Sequence, residues 1–134
     1  MKKFVSIVIA ALSLLILGGC ATVSTLPSVD VSKMPNKTLT VAEIDAAVRG
    51  KQINIEVRRT NGSSLKVLYV FESNGTVKGV LLNETDKGPW QIDQQKGQLC
   101  FTFSRWGGGC ATANVYDGKL HLQRADNGTK YIQQ

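Results

Sequence analysis

The chain reads as a mainly β protein, an eight-stranded antiparallel up-and-down meander or small calycin-like barrel with one short N-terminal helix. Three observations predict this. From Gln52 onward apolar residues recur at every second position in short runs, the period of strands half-buried on one face. The runs are separated by Asn61-Gly62, Asn74-Gly75, Lys96-Gly97, Asp117-Gly118 and Asn127-Gly128, pairs that tight hairpin turns favour, and by Gly107-Gly108-Gly109. A single stretch of helical period, 40–49, precedes them all.

That helix has a well-marked start. Thr40 can cap it, and Glu43 at the third helical position completes a capping box. Leu39 and Ile44 stand where a hydrophobic staple needs them. Val41, Ile44 and Val48 share one face, and Gly50 ends the element with a residue that tolerates left-handed geometry. About ten residues are too few to persist undocked, so the helix must pack on something.

Eight strands are expected: 52–59, 64–72, 76–83, 88–93, 98–104, 109–116, 119–124 and 129–133. Only the 83–88 connection lacks a glycine-bearing turn. Turn lengths then set the register. They place Val115 opposite Leu120, Ala113 opposite Leu122, Leu122 opposite Tyr131, Ile92 opposite Leu99 and Trp90 opposite Phe101. Further back they place Leu81 opposite Trp90, Val57 opposite Val67 and Phe71 opposite Val77. Every pair matches apolar to apolar, and a one-residue slip would turn a strand's apolar set outward. Tyr69 faces Gly79 and Phe101 faces Gly109, so rings can cover the gaps that glycines leave. The inner face is bulky (Tyr69, Phe71, Trp90, Phe101, Phe103, Tyr131), which counts against a generous lipocalin-style cavity. Leu68, Val70, Val80 and Leu82 make a second apolar face, which the helix is expected to cover.

The first twenty residues set compartment and attachment. Lys2 and Lys3 lead an apolar run from Phe4 to Leu17, closed by Leu17-Gly18-Gly19-Cys20. The run is short for a spanning helix and has the layout of a secretory signal. Its end resembles the lipobox of bacterial lipoproteins. The resemblance implies that residues 1–19 are removed and that Cys20 is acylated as the new N-terminus. The alternative is an ordinary signal, or an anchor helix with an incidental cysteine. Ala21 lacks the aspartate that resembles an inner-membrane retention signal. The expected location is therefore the outer membrane, lipid-anchored and facing the periplasm. Residues 20–38, with Pro27 and Pro35 and no steady period, read as the lipidated cysteine and a flexible tether. Residues 39–134 read as the domain.

Without the signal, 14 basic and 10 acidic residues leave a mature charge of +4, scattered along the chain. The membrane, through the N-terminal lipid, is the expected partner, and an envelope protein is a second. Nucleic acid is not expected, because export separates the two. Of three cysteines, one goes to lipid. The remaining Cys100 and Cys110 are an even pair in an oxidising compartment, which argues for one disulfide. A hairpin centred on Arg105 sets them directly opposite each other, within disulfide reach and facing away from Leu99, Phe101 and Phe103.

No catalytic constellation, cofactor motif or metal site is legible. His121 is the only histidine. Alternation turns it away from Leu120 and Leu122 toward solvent, with no positioned nucleophile or orienting carboxylate. Glu84, Asp86, Asp93, Asp117 and Asp126 fall in or beside turns, where acids are ordinary turn formers. The candidate binding loop is 104–109. Arg105 and Trp106 on an exposed tip have the composition of a recognition hot spot. Alternatively, Trp106 folds back to plug the barrel end.

Gly88 ahead of Trp90, then Gln98-Leu99-Cys100-Phe101, Cys110, Tyr116-Asp117-Gly118 and Asp126-Asn127-Gly128, with Gly50 and the segment from Tyr69 to Gly75, make a pattern covering nearly all of 39–134. It resembles a group of short uncharacterised proteobacterial exported domains, a resemblance that implies fold rather than activity. Single-disulfide barrel inhibitors of lysozymes and proteases share the size and compartment, without a legible inhibitory motif here. The expectation is a lipid-anchored envelope lipoprotein with a non-catalytic β domain that binds something or supports the envelope. The alternative is an inhibitor or immunity lipoprotein acting on a cell-wall hydrolase or toxin.

Overall fold

The structure, a computed structural model, describes residues 28–134. The signal, Cys20 and the first part of the expected tether lie outside the described residues. Nine strands form one sheet. They are β1 (Lys37–Thr38), β2 (Lys51–Arg58), β3 (Ser64–Phe71), β4 (Thr76–Leu81), β5 (Glu84–Asp93), β6 (Gln98–Phe103), β7 (Gly107–Tyr116), β8 (Lys119–Arg124) and β9 (Lys130–Gln133). Each of β2–β9 pairs antiparallel with its neighbour in sequence. β9 then pairs with β2, Val57 opposite Tyr131, and closes an eight-stranded barrel. Closure leaves none of the eight barrel strands as a free edge, and only the two-residue β1 ends the sheet.

The helix, α1 (Val41–Val48), starts as its sequence requires. Thr40 Oγ1 accepts from the Glu43 amide, and Glu43 Oε2 accepts from the Thr40 amide. It docks elsewhere than expected. Ile44, Ala47 and Val48 join the core beside Ile53, Phe71, Val77 and Trp90, so α1 closes the barrel end where β2 begins and β5 finishes. The Gly50 amide donates to Phe71 O, Arg49 donates to Ser73 O, and the Arg49 guanidinium lies 4.8 Å over the Trp90 ring. The outer stripe of Leu68, Val70 and Val80 is left half-buried without a helix over it, and Leu82 is 91% exposed. Three side chains of one helix face find more apolar contact inside a barrel end than on a sheet's outer surface, and burial scales with the area removed from water.

The tether reading needs correction for residues 28–38. Val31 is buried in a short 3-10 turn (Val31–Lys33), the Val29 amide donates to Ala46 O, and Lys51 Nζ donates to Val29 O. β1 pairs with the end of β7, Lys37 opposite Val115, where β6 no longer reaches.

Most expected registers hold: Val115 with Leu120, Ala113 with Leu122, Leu122 with Tyr131, Ile92 with Leu99, Trp90 with Phe101 and Phe71 with Val77. Two do not. Val57 faces Leu65, not Val67, because the turn is Thr60-Asn61-Gly62, with the Arg59 amide bonded to Ser63 O. The shift is two residues, so the inward face is kept. Leu81 faces Glu84, not Trp90, since β4 and β5 join through Leu82-Asn83 and β5 runs on through Asp86 and Gly88. Cys100 and Cys110 are opposed on the outer face at a Cα separation of 3.9 Å and are bonded as a disulfide. A closed loop of this length contributes roughly 3 kcal/mol in the chain-entropy model.

Candidate functional site

The barrel has two unlike ends. α1 fills one. At the other, the turns at 59–63, 82–83, 104–106 and 125–128 surround a cavity of about 620 Å³. Its walls are the last inward positions of the strands, among them Val57, Val67, Tyr69, Phe101, Phe103 and Tyr131. The rings meet edge to face or tilted, with Tyr69–Phe103 centroids 5.2 Å apart and Phe101–Tyr131 centroids 5.1 Å apart, so the floor is rigid. Tyr69 is buried. Burial first, then neighbouring Tyr131, pushes its hydroxyl above the usual tyrosine range, and it stays neutral.

Above this floor stand Arg59, Arg105 and Arg124, and no carboxylate among the described residues lines the cavity. Each arginine arrives by a readable route. Arg59 continues the inward series Ile53, Ile55, Val57, and Arg124 continues Leu120, Leu122. Arg124 is largely covered and donates to Asp126 from Nε at 2.9 Å and from Nη2. Its guanidinium lies against Gly109, where an added Cβ would come within 2.9 Å of Nε. The gap left by Gly109 is thus filled by a cation, where a ring was expected. Arg59 makes no ion pair among the described residues, and Arg105 comes no closer than 4.0 Å to a carboxylate, that of Asp86.

Asp86 builds the loop that carries Arg105 and Trp106. Its carboxylate is 6% exposed and points inward beside Gly79. It accepts from Ser104 Oγ at 2.6 Å and from the Arg105, Trp106 and Lys87 amides at 2.7, 3.0 and 2.9 Å. Burial alone would raise its pKa. The hydrogen bonds from Ser104, Arg105, Trp106 and Lys87 together outweigh that and hold the carboxyl far below the usual range. The loop is therefore clamped.

Trp106 does not stand out as an exposed tip. It folds back against Phe103 at a centroid distance of 5.4 Å and over Gly79, where an added Cβ would fall 2.6 Å from the ring. It forms one wall of the mouth. Arg105 stays exposed at the rim, its Nη2 donating to Thr85 O. His121 faces outward, half-buried edge-on to Tyr116, and burial followed by nearby Arg58, Lys119 and Lys130 lowers its pKa. Among the described residues, no group of three or more histidine, cysteine, aspartate or glutamate side chains comes together as a metal site would need. No described helix is long and apolar enough to cross a membrane.

No family model, curated protein or solved structure matches the chain. Function is therefore read from the mouth itself.

Proposed function

We propose that the protein is an envelope lipoprotein, anchored by Cys20 in the outer membrane and facing the periplasm, whose barrel is a non-catalytic binding module with its site in the mouth. One observation carries the reading. A barrel closed at one end by α1 keeps a cavity of about 620 Å³ at the other, with an aromatic floor and a polar, arginine-bearing rim, within the size range of small-molecule sites. The rings supply contact area and the rim supplies polar groups that orient a guest.

The test uses the full chain carrying Cys20→Ser, which has no acyl group of its own to compete, labelled with nitrogen-15. Titration with a neutral naphthylamine dye should shift the amides of Val57, Tyr69, Phe103, Trp106 and Tyr131 together. Shifts confined to the outer strand faces, or none, would sink the mouth as a binding site.

The second reading is an inhibitor or immunity lipoprotein acting on a cell-wall hydrolase or toxin. One observation favours it. Leu82 is 91% exposed and has φ +53°, a conformation that normally belongs to glycine. An exposed apolar side chain on a strained turn suits a protein contact. With Trp106 folded inward, such a contact would centre on Leu82.

A further inference from the structure

We propose that the ligand of the mouth is an anionic amphiphile, a single carboxylate or phosphate head on a compact apolar body. The head sits among Arg59, Arg105 and Arg124, and the body lies against Phe103, Trp106 and Tyr131. The inference rests on the mouth being a binding site and goes on to its chemistry.

Three guanidinium groups around one opening repel one another, and among the described residues the lining holds no carboxylate to offset them. Asp126 satisfies part of Arg124 from outside the cavity, and Asp86 is already engaged by three donors of the 104–106 loop and the Lys87 amide. Arg59 has no carboxylate partner among the described residues. A guanidinium presents a planar fork of N–H donors, which matches carboxylate and phosphate oxygens. A bound anion would relieve the repulsion, engage Arg59 as a charge-assisted donor and take up the donors that Arg124 and Arg105 do not spend on Asp126 and Thr85 O. A neutral polar head gains none of this. A larger anion with no apolar part would leave the ring floor uncovered. The remaining rim groups, Thr60, Asn61, Asn127 and Thr129, are uncharged and place no second charge against the head.

The experiment is isothermal titration calorimetry on the full chain carrying Cys20→Ser with decanoate, decyl phosphate and 1-decanol, repeated in the Arg59→Gln variant. Arg59 is exposed and makes no ion pair among the described residues, so its loss leaves the fold in place, which a melting curve checks. Decanoate or decyl phosphate should bind about tenfold more tightly than 1-decanol. Arg59→Gln should weaken the anion about tenfold and leave the alcohol unchanged. Whichever anion binds better identifies the head. Equal binding of decanol and decanoate, insensitive to Arg59→Gln, would overturn the anionic ligand and leave the binding module standing. Binding of none of the three, with no dye shift in the mouth, would overturn both.

Discussion

Four donors converge on the Asp86 carboxylate, three of them from the loop that carries Arg105 and Trp106, so the mouth's geometry depends on the charge of one side chain. The sign of the pH effect follows. A carboxyl held below its unfolded pKa contributes stability that is present above about pH 4 and is lost as pH falls toward the folded value. Acidification through that window should lower the melting temperature and redden Trp106 emission as its ring leaves Phe103. Asp86→Asn keeps the shape but sets an amide nitrogen against the Arg105 or Trp106 amide. That variant should melt earlier at pH 7 and lose the acid slope. An unchanged slope would remove Asp86 from the clamp. Sequence hides this residue. Asp86 stands two positions before Gly88-Pro89, where a strand reads as broken, so it looks like a turn former. Arg59 and Arg124 are absent from the sequence-based candidates, although each lies one alternation beyond an inward apolar series, the signal that could have found them.

Elements show the same division between what local pattern specifies and what packing decides. The capping box of α1 is written in Thr40 and Glu43, and the disulfide in the spacing of Cys100 and Cys110 about Arg105. A helical period says which face is buried but not against what. Two surfaces competed for α1, and the barrel end won because Phe71, Val77 and Trp90 offered a concave apolar site. Ile44 is fully buried there, so Ile44→Asp leaves an unpaired carboxylate in the core and should cost about 4 kcal/mol or more. Val70→Asp on the outer stripe should cost about 1 kcal/mol or less. Chemical denaturation of the two variants distinguishes the sites, and similar losses from both would return the helix to the outer face.

At the scale of the molecule, the described chain begins at the helix end, where Val29 bonds to Ala46 and Lys51, and the mouth lies at the opposite end. If Cys20 is acylated, the eight residue steps from Cys20 to Ser28 span at most about 28 Å. Strands of this length, tilted as barrels require, make the body roughly 20 Å tall. The mouth could reach the anchoring membrane only with the link drawn out to most of its reach, at a cost in chain entropy. The helix end should therefore face the lipid, and the arginine-rimmed mouth should open into the compartment. Attachment comes first: Cys20→Ser should leave the protein as unprocessed or soluble material, and unchanged membrane retention of a processed chain would end the lipoprotein reading. Orientation is then read from the anchored protein reconstituted with headgroup-quencher lipids and a single fluorophore. A label at Lys96, in the turn between β5 and β6 at the helix end, should be quenched several-fold more than one at Asn61 on the rim. Equal quenching at both positions would mean that the barrel lies on its side or turns its mouth to the membrane.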